Sequence, residues 1–505
     1  MTTRRSQEHS ARHGLPPELW VKIIESCPRG RTRTCLSVNK LFHDIALPIV
    51  FGRVVLSFGS FEAYQAPLSV TPRVRDWLHG LEQSRTSRAL EILERITEDQ
   101  AFADVIKTLQ VRACYDESEM GRKAVADVAA HMERFHATIP SLKRLRVFLW
   151  HWSYPRLTEG IVQTLAESCP LLERFEAPAF SMQGLPVHLL RNVKAIRTTW
   201  SDEDYTDLGI HGGNPVPVLE SLLEKMQRPL TSQSNVESSL LHNVTDLELL
   251  FHDEYAPRDL QTILRHAPCV QSLAMVPVRG DVDDEPQDKM YNALAALPSE
   301  LPSFNSLAIG PVDQRITEHQ LGVLCSFLKS RPQLRRFSMR CTLTVVDVEP
   351  LFEALATLKK LEVLALYFGC EDLGLPAKEW IHRLLDHVPA GLTALALDFD
   401  QGFANKETFT ELWSRLPALE FVYVRVLGGA ALTPNQFIRG ASNLQVVCFQ
   451  DRFYDVEKVG GELRVVTPPW SSPKVRFRAV EDFGCADWEW LMRQYEFFDY
   501  MPADW

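Results

Sequence analysis

Nowhere in this chain do about 18 consecutive apolar residues occur, which excludes a helical membrane anchor. The opening residues, Met1 to Gly14, are polar and basic and lack the apolar stretch of a secretory leader. The expectation is therefore a soluble, intracellular protein of the cytoplasm, the nucleus or both, with no membrane partner. Cysteine is sparse and scattered: the 10 thiols include no C-x-x-C pair and no cluster beside histidines, which points away from zinc and redox motifs and towards reduced thiols, mostly buried. Positive charge is in deficit, with 54 Lys and Arg against 65 Asp and Glu, so no broad basic footprint for nucleic acid is expected. Also missing are G-x-x-x-x-G-K, G-x-G-x-x-G, G-x-S-x-G and H-E-x-x-H, the best-defined phosphate, dinucleotide, acyl-transfer and zinc-hydrolase signatures.

What is present is a repeat. The pattern of an apolar residue, two variable ones, an apolar residue, a variable one and another apolar residue recurs at Leu142/Leu145/Val147, Val244/Leu247/Leu249, Leu361/Leu364/Leu366 and Leu392/Leu395/Leu397. Further copies begin at Ile106, Leu172, Val193, Val270, Phe304, Leu334, Leu419 and Leu444. Most steps lie in or just beyond the range of roughly 20–29 residues of a leucine-rich repeat. The long step from Val193 to Val244 carries an insertion, including the Asp- and Gly-rich loop Ser201 to Pro217.

Between the copies run helix-period segments: Leu260/Ile263/Leu264/Ala267, Leu321/Leu324/Cys325/Leu328 and Ile381/Leu384/Leu385/Val388. Pro140, Pro170, Pro268, Pro302, Pro332 and Pro417 each stand two residues before a copy, where proline ends a helix and opens an extended segment. A doubly wound α/β sheet would bury both strand faces and show continuous apolar runs. Here polar or small residues separate the leucines, as in Thr108-Leu109-Gln110, so the pattern predicts an irregular leucine-rich-repeat solenoid, a right-handed α/β horseshoe, over 53–453.

Ahead of it, with 1–14 expected to be disordered, residues 15–52 read as helical. Leu15-Pro16-Pro17-Glu18-Leu19 opens a helix, Leu19, Ile23, Ile24 and Cys27 share a face, and Pro28-Arg29-Gly30 ends the run. A second helix is predicted from Thr34 to Leu47, closed by Pro48. So short a segment buries little by itself and should dock on something.

The Leu-Pro-x-Glu-Leu opening, the Ile23-Ile24 pair and Val38-Asn39-Lys40-Leu41-Phe42 resemble the F-box, with Asn39 and Phe42 where that family often has Cys and Trp. The chain as a whole is similar to fungal F-box proteins with leucine-rich repeats. The resemblance implies the substrate-recognition subunit of an SCF-type cullin-RING ubiquitin ligase. Leu15, Pro16, Leu19, Ile23, Ile24, Val38 and Phe42 would form or support the surface for the Skp adaptor, and the repeats would select an unknown protein substrate. The alternative is a non-enzymatic scaffold whose N-terminal helices only cap the solenoid.

In a repeat of this kind the leucines point inward and the residues between them line the concave face. Candidates for substrate binding there are Arg112, Arg144, Arg146, Arg174 and Arg197, then Arg336, Arg340, Tyr367, Phe421, Tyr423 and Arg425; the middle copies present Asp246 and Glu248, then the small Ser272, Ala274, Ser306 and Ala308. Arginine grips carboxylates and phosphates bidentately, and an apolar-aromatic stretch marks an interface. The segment 454–505, acidic and aromatic, departs from the repeat; it is expected to cap the last repeat, the other arrangement being a fold back over the concave face.

No catalytic, cofactor or metal site is expected. His9 and His13 have a helical metal spacing in the polar N-terminus, Asp281-Val282-Asp283-Asp284-Glu285 reads as a solvated loop, Asp398 and Asp400 as surface charge, and Asn243-Val244-Thr245 as part of a strand.

Overall fold

The computed structural model describes residues 15–25, 27, 29–60, 62, 71–115, 122–178, 185–199, 240–251, 267–277, 290–292, 294–295, 301, 303–342, 348–368, 377–399, 406–426, 432–471, 474–475 and 483–493. Residues 1–14 with His9 and His13, the stretch 201–217, Leu260, Ile263 and Leu264 of the predicted helix, residues 281–285, Asp400 and the last twelve residues lie outside them, so the expectations made there are not addressed. The chain divides into two compact units, Met1–Phe175 and Glu176–Trp505.

The first unit starts with three helices, α1 (Pro17–Glu25), α2 (Arg29–Cys35) and α3 (Lys40–Phe51). Two expectations are corrected here. Arg29 and Gly30, expected to end the first helical run, open a helix of their own that takes in Thr34, and Pro48 sits inside the last turn of α3 without closing it. The break between α2 and α3 falls at Asn39, whose side-chain oxygen accepts the amide of Phe42 at 2.9 Å and so starts a new helix.

From Gly52 the chain enters a parallel sheet, β1 (Arg53–Gly59), β2 (Thr108–Cys114) and β3 (Val147–Tyr154), paired in chain order. The 27-residue helix α4 (Pro72–Glu98) connects the first two strands and buries Leu78, Ala89, Leu93 and Ile96. Inward-pointing aromatics fill the core: Phe135 lies 6.5 Å from Phe58 and 5.7 Å from Trp150, and Phe148 stacks on Phe175 at 5.9 Å. β4 (Arg174–Pro178) crosses the division between the units.

The second unit continues with β5 (Ala195–Thr199), β6 (Asp246–Phe251), β7 (Ser272–Pro277), β8 (Ser306–Arg315), β9 (Arg336–Thr342), β10 (Val363–Phe368), β11 (Ala394–Phe399), β12 (Phe421–Val426) and β13 (Val446–Phe449). All pair parallel with their neighbours in chain order, and the order is open, not closed into a barrel. Helices Glu318–Lys329, Glu349–Thr357, Ala377–His387 and Lys406–Arg415 connect successive strands. The first and third bury the face that the periodicity picked out, Leu321, Leu324, Cys325 and Leu328 in one and Ile381, Leu384 and Leu385 in the other, with Val388 half-buried just past the helix end.

One hydrogen-bond device sets the register of the repeat. A carbonyl just ahead of each strand accepts two successive amides of the next copy: Asn305 from Arg335 and Arg336, Arg335 from Glu362 and Val363, Glu362 from Thr393 and Ala394, and Thr393 from Glu420 and Phe421. In the first unit Gly52 accepts from Lys107 and Thr108, and Lys107 from Arg146 and Val147. This moves one predicted copy by three residues. The motif before β3 is Leu145/Phe148/Trp150, not Leu142/Leu145/Val147, because Phe148 and Trp150 are fully buried whereas Val147 is half-buried. A copy the sequence reading missed, Phe51/Val54/Leu56, builds β1.

The stack ends in antiparallel strands, β14 (Arg452–Val459) on β13 and β15 (Glu462–Val465) on β14. Both connections are two-residue turns with positive φ throughout: Gln450 and Asp451 (52° and 57°), then Gly460 and Gly461 (62° and 90°). Such turns match the twist of a hairpin, and glycine adopts them without strain.

Candidate functional site

The first candidate surface belongs to α1–α3. Trp20 packs on Phe42 with ring centroids 4.8 Å apart, and Ile24, Ala46 and Val50 are buried. These contacts turn the other apolar side of α1 outward. Leu15, Leu19 and Ile23, spaced by four, are 44%, 42% and 43% exposed, and Val38 and Leu41 are 57% and 42% exposed. Pro16 is also exposed. Of the predicted adaptor-binding residues, Ile24 and half-buried Phe42 therefore support the segment from inside, and the remainder lie at its surface.

The second candidate surface is the face of β5–β13 that carries the first, third and fifth residue of each strand. Through its middle these residues are small: Ser272 and Ala274, Ser306 and Ala308, Ser338, Ala365, Ala394 and Ala396, all buried. Small side chains let a helix backbone come close, and a helix occupies the space: Ala486–Arg493, packed on β10 and β11. Trp488 stacks on Phe421 at 5.5 Å, and Trp490 donates its indole N–H to Ser272 Oγ at 3.1 Å under the guanidinium of Arg336, 5.8 Å from the ring centroid. Leu491 and Met492 are fully buried. Phe453, Trp470 and Phe483 continue this apolar cluster beside Phe421.

Charges fix the helix along its length. Arg197 Nη1 meets Glu489 Oε1 at 2.9 Å, and its Nε meets Asp246 Oδ2 at 3.0 Å. Arg493 reaches Asp246 at 3.5 Å and Glu248 at 4.0 Å, and Asp487 pairs with Arg336. Burial works against the Arg197 charge, but the carboxylates of Asp246, Glu489 and Glu176 outweigh it, so the guanidinium pKa stands above its ordinary value. The acidic residues lie in the first turn of the helix and Arg493 in the last, where the helix dipole favours each.

The structure gathers some of the sequence-predicted residues and disperses others. Arg197, Arg336, Phe421 and Tyr423 share the tail-covered face, Phe421 and Tyr423 being fully buried there. Tyr423 donates its hydroxyl to Asp451 Oδ1 at 3.1 Å, with Arg425 Nε 3.6 Å from Oδ2 of the same carboxylate. Arg112 lies in β2, in register with Ser57 and His151, and half-buried Arg174 opens β4. Arg144 and Arg146 are corrected by the shifted register: both are exposed in the turn before β3, off the strand face. The side chains of Arg340 and Tyr367 lie outside the described residues. Glu489, Asp487 and Arg493 were not predicted for any site; the small residues at matching strand positions were the signal that a helix sits opposite.

Among the described residues no group of three or more His, Cys, Asp or Glu could hold a metal ion, and no helix is long and apolar enough to cross a membrane. No family model matches the chain, and no curated protein matches it. Among solved structures it is similar to the leucine-rich repeat-containing protein LegL7 from Legionella pneumophila, at 12% identity and a TM-score of 0.34, with 77% of this chain and 97% of that one covered.

Proposed function

We propose that this chain is a non-catalytic, intracellular substrate receptor of an SCF-type cullin-RING ubiquitin ligase, joined to the Skp adaptor through α1–α3 and to a protein substrate through its leucine-rich repeats. The observation that carries the reading is the apolar stripe Leu15, Leu19 and Ile23, with Val38 and Leu41, left exposed on a segment whose inward face is already packed. Exposed apolar surface of this kind marks a partner site, and Leu15, Leu19, Ile23 and Val38 are among the positions that the F-box resemblance assigns to the adaptor.

A second reading has its own observation. The last turn of α3 runs directly into Gly52 and β1, with Ala46 and Val50 buried, as a plain solenoid cap would. Titration of the purified chain with the Skp adaptor separates the two. Wild type should bind, and Leu19→Asp/Ile23→Asp should lose binding by roughly a hundredfold while keeping its thermal midpoint, since both residues are exposed. A well-folded wild type that does not bind leaves the capped scaffold.

A further inference from the structure

We infer that the small-residue face of the second unit is a recognition groove for an acidic–aromatic helix, and that Ala486–Arg493 is its resident ligand, which a protein segment of the same chemistry displaces. The inference deepens the proposed receptor function and rests on it for the word substrate; the groove itself rests on geometry.

The contacts of the tail helix are those of a ligand in a site. Two tryptophans occupy distinct places, Trp488 against Phe421 and Trp490 against Ser272 and Arg336. Buried aromatic anchors next to arginine are the usual centres of protein–protein binding energy. The charges form a code: acidic at 487 and 489 facing Arg336 and Arg197, basic at 493 facing Asp246 and Glu248.

An ion pair as enclosed as Arg197 with Glu489, at side-chain exposures of 11% and 8%, is a poor way to gain stability, because desolvation offsets most of the attraction. What it supplies is discrimination, since a helix with a basic residue at that place sets a second cation against the enclosed Arg197, which then has only Asp246 to answer it. The face opposite keeps bulky side chains out of the helix's way: Ala274, Ala308, Ala365, Ala394 and Ala396, from β7, β8, β10 and β11, form its floor. A partner helix presenting acid–aromatic–acid–aromatic, then a basic residue three positions on, makes the same contacts.

Tethering gives the resident helix an effective concentration on the order of millimolar, so an external helix competes poorly until the tail is weakened. The probe is a fluorescent peptide of residues 483–493 carrying Cys485→Ser, titrated by anisotropy into the full-length chain and into full-length Trp488→Ala/Trp490→Ala. The tail variant should bind it at least about tenfold more tightly than wild type. A Glu489→Arg peptide should lose that binding, because it sets a second cation against the enclosed Arg197.

A cooperatively folding tail variant that fails to bind the peptide overturns the inference. Should the variant not fold, hydrogen exchange on the wild type decides: opening of the tail helix at lower free energy than β10 and β11 supports a displaceable ligand, and exchange only with global unfolding refutes it. Adaptor binding is read on the same samples. Adaptor bound without peptide removes the groove alone, and peptide bound without adaptor removes the ligase reading alone.

Discussion

Arg197 and Glu489, 292 residues apart in the chain, form a buried ion pair at 2.9 Å, and the same guanidinium holds Asp246 at 3.0 Å. Arg197→Met should therefore destabilise the second unit by about 3–5 kcal/mol, because two carboxylates are left enclosed without their principal counter-charge. Glu489→Gln should cost far less, since Arg197 keeps Asp246. Urea unfolding of both variants checks this, and equal losses would show that the tail contact, not the cation, dominates.

The turn from β13 to β14 places two residues other than glycine, Gln450 and Asp451, at φ of 52° and 57°. A left-handed conformation costs an ordinary residue about 1–2 kcal/mol, part of which glycine's larger unfolded-state entropy offsets. Gln450→Gly should raise stability by roughly 0.5–1 kcal/mol on this balance. Asp451→Gly should gain nothing or lose, because Tyr423 and Arg425 lose their carboxylate. Paired thermal melts distinguish strain at the turn from the contacts that hold it.

Acid should weaken the first unit through Glu62. Burial pushes its carboxyl up, but the hydrogen bonds and charge of Arg85, at 2.7 Å through Nη2, pull it further down, so the folded-state pKa lies below the ordinary 4.5. A group lowered in this way adds stability that is complete above its unfolded pKa and disappears as the pH falls through the folded one. Stability should decline as the pH drops below about 4.5, and Glu62→Gln should remove that part of the slope while lowering stability at neutral pH. A variant whose acid limb matches wild type would assign the effect to other carboxylates.

Much of the repeat is legible from spacing because a parallel strand with one buried face repeats its apolar positions regardless of what lies opposite. Leu361/Leu364/Leu366 and Leu392/Leu395/Leu397 fall in register on β10 and β11. The slip before β3 has a local cause. Pro140 and Leu142 imitate the punctuation of the other copies, but Pro140 lies in a 3-10 turn, Ile139–Ser141, and Leu142 caps it, ahead of the true motif. The copy at Phe51 was hidden because its first apolar residue is the last residue of a helix and α4 intervenes before the next copy.

The tail was harder to read for a physical reason. Trp488, Glu489, Trp490, Leu491 and Met492 are consecutive and all buried, so no amphipathic stripe advertises the helix or its docking face. Nor can a sequence alone announce that Arg197 meets Glu489, since long-range ion pairs leave no periodic trace. Among the cysteines, Cys114, Cys169, Cys325 and Cys448 are buried and Cys269 is exposed. Burial alone pushes the Cys169 thiol up to about 12.

The hairpin that closes the second unit sets a limit on growth. A parallel strand stack offers its final edge as a template on which another strand, or another molecule, can polymerise. By reversing direction at Gln450-Asp451, the chain replaces that edge with an antiparallel one carrying Glu457, Lys458, Glu462 and Arg464, charges that a strand added there would have to match. The number of repeats is thereby terminated by the chain's own geometry, and end-to-end filament formation is opposed at that end without any separate capping protein.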